Sequence, residues 1–290
     1  ISEVVFKDLV AVSVGGAILA QGAQCNLSIS DSEFRTNETR DNSGAIRFSG
    51  GLIQISDTLF DSNYAEERGG GLKLTDAEVE ILRCNFNSNT SGPVDQPTPS
   101  WTGWGGACDI TNCYGYVRGS SFVSNKSYGK GNGQNANGGA LNIDGSNELD
   151  FTSCVFVENV ADAESGVAQG GAIFLSGNPV KPSFKFCEFR NNASNSLSSG
   201  NPSGKGGAIF CRDRAEPYIL GSSFIGNTSA TGGSIYSDNS SPFLVEVLFR
   251  TNSANEGGGI AVSPSSSDIP YVSDSFFCGN TIEDVFGQIY

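Results

Sequence analysis

Apolar residues in this chain come in short bursts two apart, and the bursts recur every 25 to 36 residues from end to end. Each burst follows a glycine that closes a two-residue small motif, at Gly16, Gly44, Gly70, Gly106, Gly139, Gly171, Gly207, Gly233, Gly258 and, in a weaker copy, Gly287. Two residues on stands an aliphatic residue or cysteine, such as Ile18, Ile46, Leu72, Cys108, Leu141 and Ile173, and two further on a second column that includes Phe48, Leu74, Ile110 and Leu175. The second landmark is Phe-x-x-Asn, in nine copies that begin at Phe34, Phe60, Phe86, Phe122, Phe156, Phe189, Phe224, Phe249 and Phe277. Five residues before each Phe the position is apolar (Ile29, Ile55, Ile81, Val117, Phe151), and two before it the residue is mostly small (Ser32, Thr58, Cys84, Ser120, Cys154, Cys187).

A period of two is strand periodicity, and each run is only three to five residues long. The change from an odd offset to an even one ahead of each Phe requires a bend between two short strands. A repeat of this length over a whole chain is a solenoid. The expected fold is therefore all-β: one parallel β-helix over residues 1–290, of about ten coils with three short strands each, right-handed because parallel crossovers favour that hand. Identical positions then stack about 4.8 Å apart, and each buried Phe or Ile contributes roughly 1.5–3 kcal/mol. Both landmarks have a structural reading: Gly-Gly serves a corner or a close backbone approach, and stacked Asn amides bond from coil to coil.

From each landmark glycine to the next Phe the chain takes 16 to 19 residues, whereas from Phe to the next glycine it takes 9 or 10 in some copies and 15 to 20 in others. One arc is thus set by packing and the other tolerates insertion. The long insertions, 90–105, 126–138, 160–170 and 193–206, follow consecutive Phe-x-x-Asn copies and must emerge side by side on one edge. The first carries both tryptophans of the chain, Trp101 and Trp104, which are the binding candidates: they stack on a sugar ring, anchor a partner, or fold back to pin the loop.

The pairing of Gly-Gly-Ala-Ile (Gly15–Ile18, Gly170–Ile173, Gly206–Ile209) with Phe-x-x-Asn resembles the repeats of the chlamydial polymorphic outer membrane proteins. That resemblance runs the length of the chain and implies a right-handed β-helix, a secreted or surface-displayed adhesin, and a non-enzymatic extracellular role. The 290 residues contain no counterpart of that family's carboxy-terminal membrane barrel.

Charge and composition narrow the partners. Thirty-one acidic against 17 basic residues give a net charge of −14, which argues against nucleic acid and anionic membrane. No apolar run reaches transmembrane length. Seven Asn-x-Ser/Thr sequons begin at Asn26, Asn37, Asn89, Asn125, Asn192, Asn227 and Asn239. Five of them are Phe-x-x-Asn asparagines, which carry no glycan if they turn inward; Asn26 and Asn239 escape that conflict.

Of the eight cysteines, Cys154 and Cys187 fall in one column of adjacent coils, at a spacing compatible with a disulfide and equally with two buried thiols. Without histidine, His-based catalysis is excluded, and zinc has no ligand set. No cofactor or metal is expected. The nearest approach to a carboxylate site is Asp31 with Asp57, three before Phe in adjacent coils, which keeps a calcium-dependent polysaccharide lyase as one alternative to an adhesive or structural solenoid; a carbohydrate-binding module centred on Trp101 and Trp104 is the other. Ile1–Phe6 reads as the end of one coil and Gly287–Tyr290 as the start of another. Uncapped edges at both ends point to head-to-tail copies or flanking segments as partners.

Overall fold

The computed structural model describes residues 1–93, 101–145, 147–177, 180–196 and 203–290. Among these residues every regular element is a strand. The chain winds into a parallel β-helix of about ten coils whose strands stack into four sheets. Sheet 1 holds the Phe positions, from Val5–Lys7 to Phe276–Cys278; sheet 3 follows the glycines, from Ile18–Gln21 to Val285–Phe286; sheet 4 runs from Asn26–Ser30 to Tyr271–Ser273. Sheet 2 adds a fourth strand to the expected three. It is only two residues long in the early coils, as in Glu38–Thr39 and Tyr64–Ala65. The two residues after the Asn carry too little apolar pattern to announce a strand, yet the ladder beside them holds them extended.

Single left-handed residues make the corners. Three before Phe stand Asp31, Asp57, Arg83 and Ser153 with φ of 48°, 49°, 51° and 53°; two after Phe stand Thr36, Ser62 and Ser124 at 51°, 56° and 54°. One such residue reverses the strand alternation, so the positions five and two before Phe both face inward. At the third corner the first glycine takes positive φ (Gly69, 60°; Gly138, 61°), and the second faces the neighbouring coil. A Cβ on Gly139 would lie 2.1 Å from the Gly171 carbonyl oxygen and 2.5 Å from the Val160 nitrogen. Only hydrogen fits there.

Two ladders occupy the interior. Ten Phe rings stack from Phe6 to Phe277 with centroids 4.6–5.1 Å apart and planes within 12° of parallel. Beside them the asparagines are linked without interruption. The Nδ2 of Asn89 donates to Oδ1 of Asn125 (3.0 Å) and to the Phe60 carbonyl (2.9 Å), while its backbone N–H also donates to the same Oδ1 (3.0 Å). The same set recurs from Asn37 to Asn252, so every amide is satisfied inside the core. At the last member, Asn280 gives Nδ2 to Asp284 Oδ1 at 2.8 Å.

This burial corrects the sequon reading. Asn37, Asn89, Asn125, Asn192 and Asn227 have no exposed surface, and each Nδ2 is committed to two carbonyl oxygens, so a glycan on any of them is incompatible with this fold. Asn26 and Asn239 are exposed.

Of the two alternatives for Cys154 and Cys187, the structure has the buried thiols rather than the disulfide: all eight cysteines are free. Cys154 and Cys187 act as serine equivalents. In that column Ser32, Ser120 and Ser222 donate to the carbonyl two residues back at 2.7, 3.2 and 3.0 Å, and the thiols of Cys154 and Cys187 do so at 3.5 Å each. The hydrogen bond that it donates to Cys154, and then burial, hold the Cys187 thiol well above the ordinary range. Asp57 does not share a site with Asp31. It is gripped by Arg83 through two bonds of 2.6 and 2.7 Å, which hold its carboxyl below the usual range.

Candidate functional site

In the middle coils sheet 2 grows from a two-residue ribbon into a lobe. Lys126–Lys130, Val160–Ala163 and Ala193–Ser196 pair in parallel, each four or five residues long. Beyond them Trp101–Trp104, Ala136–Asn137 and Ala168–Gln169 pair as a return layer, also parallel. Among the described residues the one antiparallel pairing joins the two layers: Trp101 lies opposite Lys130 and Thr102 opposite Gly129. These six segments include described parts of all four insertions, and they belong to one sheet. Pro97 and Pro99 of the first insertion and part of the fourth lie outside the described residues.

Small side chains close the space between the layers. Ala136, Ala161, Ala163 and Ala168 form their own buried cluster, separate from the solenoid core. An ion pair from Lys126 to Asp162 (2.9 Å) braces the outer strands, with the Lys126 ammonium also 4.0 Å above the Tyr128 ring.

The two tryptophans have different fates. Trp104 is in register with Arg68 of the preceding coil and with Asn137 of the next. The Arg68 guanidinium lies over its ring at 4.6 Å, and Phe174 meets it in a T-shaped contact at 5.9 Å. Trp104 thus pins the lobe to the coil, at the head of an aromatic row that continues through Phe174, Phe210 and Tyr236. Trp101 is 38% exposed, and among the described residues no cation or ring is stacked on it. Together they line a shallow surface pocket of about 260 Å³ with Glu67, Arg68, Thr102 and Gln134.

Charge in this pocket is balanced from beneath. Asp109 has no exposed surface and takes Lys73 at 2.9 Å, Arg68 at 3.7 Å and the Asn142 amide at 2.6 Å. Burial, and then the nearby Asp41, push the Glu67 carboxyl up, against the pull of Arg68. Thr102 Oγ1 donates to Gln134 Oε1 at 3.0 Å, which fixes that amide and leaves its nitrogen facing away from this bond. Arg68, Glu67 and Gln134 escape a reading of motifs alone. Counting coil columns finds one of them, since Arg68 and Trp104 both stand two residues before a landmark glycine.

Asn26 opens the strand Asn26–Ser30 and borders a second, broader depression of about 710 Å³. Its floor is Gly22, Gly50 and Gly51, and its wall Asp76, Glu78 and Tyr114.

By fold the protein is a parallel β-solenoid, with a side lobe that displays one tryptophan. Residues 186–212 match the Chlamydia polymorphic membrane protein repeat; the matched stretch contains one Phe-x-x-Asn and one Gly-Gly-Ala-Ile, at Phe189–Asn192 and Gly206–Ile209. No curated protein and no solved structure matches the chain.

Proposed function

We propose that this protein is a non-enzymatic, extracellular or cell-surface β-solenoid that attaches to a cell-surface protein or glycan through the lobe. The observation that carries this reading is Trp101: a partly exposed indole that no described ring or cation covers, on the return layer of the lobe. The Phe-x-x-Asn rings are spent on the core stack; Tyr114, Phe186, Phe243, Tyr271, Phe276 and Tyr290 are also exposed, but Trp101 shares its pocket with a second tryptophan, an arginine and a carboxylate. The repeat type supports a surface address, because the polymorphic membrane proteins are named for their place in the membrane. The alternative, a carboxylate-only lyase with calcium, is weakened by the Arg83 grip on Asp57.

The test is binding of fluorescently labelled wild-type and Trp101→Ala chains to a panel of intact cells. Saturable binding that drops at least about tenfold in the variant supports the proposal. Equal binding of the two chains overturns it.

A structural role is the second reading, favoured by one observation. Register is kept from the first coil to the last, so the same hydrogen-bond pattern accepts a further coil from another copy or from flanking chain. Asp284 already fills the acceptor place beyond Asn280, so a copy added at that face has to displace it. Electron micrographs of concentrated protein decide this: filaments with an axial repeat of roughly 48 Å support it, and separate rods count against it.

A further inference from the structure

From the balance of charge around Trp101 we infer that its pocket takes a single neutral pyranose ring, a hexose or N-acetylhexosamine at the end or branch of a surface glycan. This rests on the adhesive reading and narrows its ligand. Three features of the pocket lead to it.

Only one indole face is on offer. Trp104 is occupied by Arg68 on its ring and by Phe174 in a T-shaped contact, so the platform for a flat apolar face is Trp101 alone. The C–H face of a pyranose suits such a surface, since an aromatic ring carries negative charge on its face and the sugar's C–H groups are weakly positive. A volume of about 260 Å³ lies below the ~300–1,000 Å³ of pockets that hold drug-sized ligands, and limits the occupant to about one ring.

The polar groups suit hydroxyls. Glu67 supplies acceptor oxygens, Arg68 and the Gln134 amide nitrogen supply donors, and all three line the same pocket as Trp101. Planar side chains that both donate and accept around one aromatic platform match a ring of vicinal hydroxyls, each of which does both.

The charges leave nothing to hold an anion. Arg68 is turned toward Asp109, which Lys73 also neutralises, so the site and its surroundings hold two cations (Arg68, Lys73) against three carboxyls (Glu67, Asp109 and the nearby Asp41). The chain as a whole carries −14, and its field repels uronic and sialic acids. A neutral sugar is the ligand this arrangement does not penalise.

The experiment uses the full chain with methyl glycosides of glucose, galactose, mannose and N-acetylglucosamine, and glucuronic acid as the charged probe, followed by tryptophan fluorescence and NMR saturation transfer. At least one neutral glycoside is expected to bind in roughly the millimolar range, as its size allows. Affinity should change less than about twofold between 50 and 500 mM NaCl, because no ion pair forms. Trp101→Ala should abolish binding, Trp101→Phe restore part of it, and Glu67→Gln weaken it about tenfold, with the thermal midpoint of each variant at the wild-type value. Binding of glucuronic acid alone, or affinity that collapses with salt, overturns the inference. So does the absence of any sugar binding. If protease treatment of the cells removes attachment in that case and deglycosylation does not, the adhesive reading stands with a protein as its ligand. If the wild-type chain binds neither sugars nor cells, both readings fall.

Discussion

Asn125 does four jobs with one side chain. Its Oδ1 accepts from the backbone and side chain of Asn89, and its Nδ2 donates to Asn159 and to the Phe86 carbonyl. Asn125→Ala orphans buried donors on one side and buried acceptors on the other. At roughly 1–3 kcal/mol for each unpaired buried group, the loss should be at least about 3 kcal/mol, read as a lower denaturation midpoint with an unchanged slope. Cysteines give a prediction of pH dependence. Burial pushes the Cys84 thiol up to about 12 and the Cys113 thiol up to about 11, from 9.0 in the unfolded chain. A raised thiol pKa means that the unfolded state releases these protons first. The stabilising contribution is whole below pH 9 and is lost as pH climbs from there toward 11–12. Chemical denaturation across that window should show falling stability, and Cys84→Ser should flatten part of the fall, because serine makes the same back-bond at Ser120. At neutral pH a thiol reagent should label Cys278 and, more slowly, Cys25, and reach the other six only on unfolding.

The strands and corners show how one motif was readable and another was not. Phe-x-x-Asn and Gly-Gly-x-aliphatic recur because each sits where a neighbouring coil leaves one solution: an in-register ring, a paired amide, a missing Cβ. Such constraints print themselves on the sequence once per coil, so the sheets, the ladders and the insertion edge follow from spacing. The two-residue strands of sheet 2 do not, because hydrogen bonds to the coils above and below hold Glu38–Thr39 or Tyr64–Ala65 straight whatever their side chains. The pocket was half readable. Tryptophan is rare enough to draw notice, but Glu67 and Gln134 are brought beside it by an antiparallel return that no local pattern announces. Corner chemistry is directly testable. Gly139→Ala meets backbone on both sides and should prevent folding or cost more than about 4 kcal/mol, whereas Gly133→Ala, with φ of 72° and open space around it, should cost about 1 kcal/mol. Circular dichroism melts separate the two. The lobe, closed by four alanines, should open well before the solenoid: amides of Ala136–Asn137 and Ala168–Gln169 should exchange faster than those of Leu141–Asp144 and Ile173–Ser176 in the adjoining sheet.

Taken as one body, the chain is a stack in which each coil pairs strand to strand with its neighbours, with a single Phe column running from Phe6 to Phe277. Its charge of −14 and isoelectric point near 4.3 make separate molecules repel one another at neutral pH. Light scattering should therefore rise as pH is lowered toward 4.3, and a rise of equal size at pH 7 in low salt would contradict this account. The asparagine ladder adds a directional property to the stack. Every carboxamide in it points its oxygen toward the preceding coil and its N–H toward the next, as in the step from Asn125 to Asn159. Nothing in the row alternates, so the small dipoles add, as peptide dipoles do along a helix. The solenoid is thereby an electret in miniature, with its positive pole at the coil of Asn280, and it is a carboxylate, Asp284, that meets that pole.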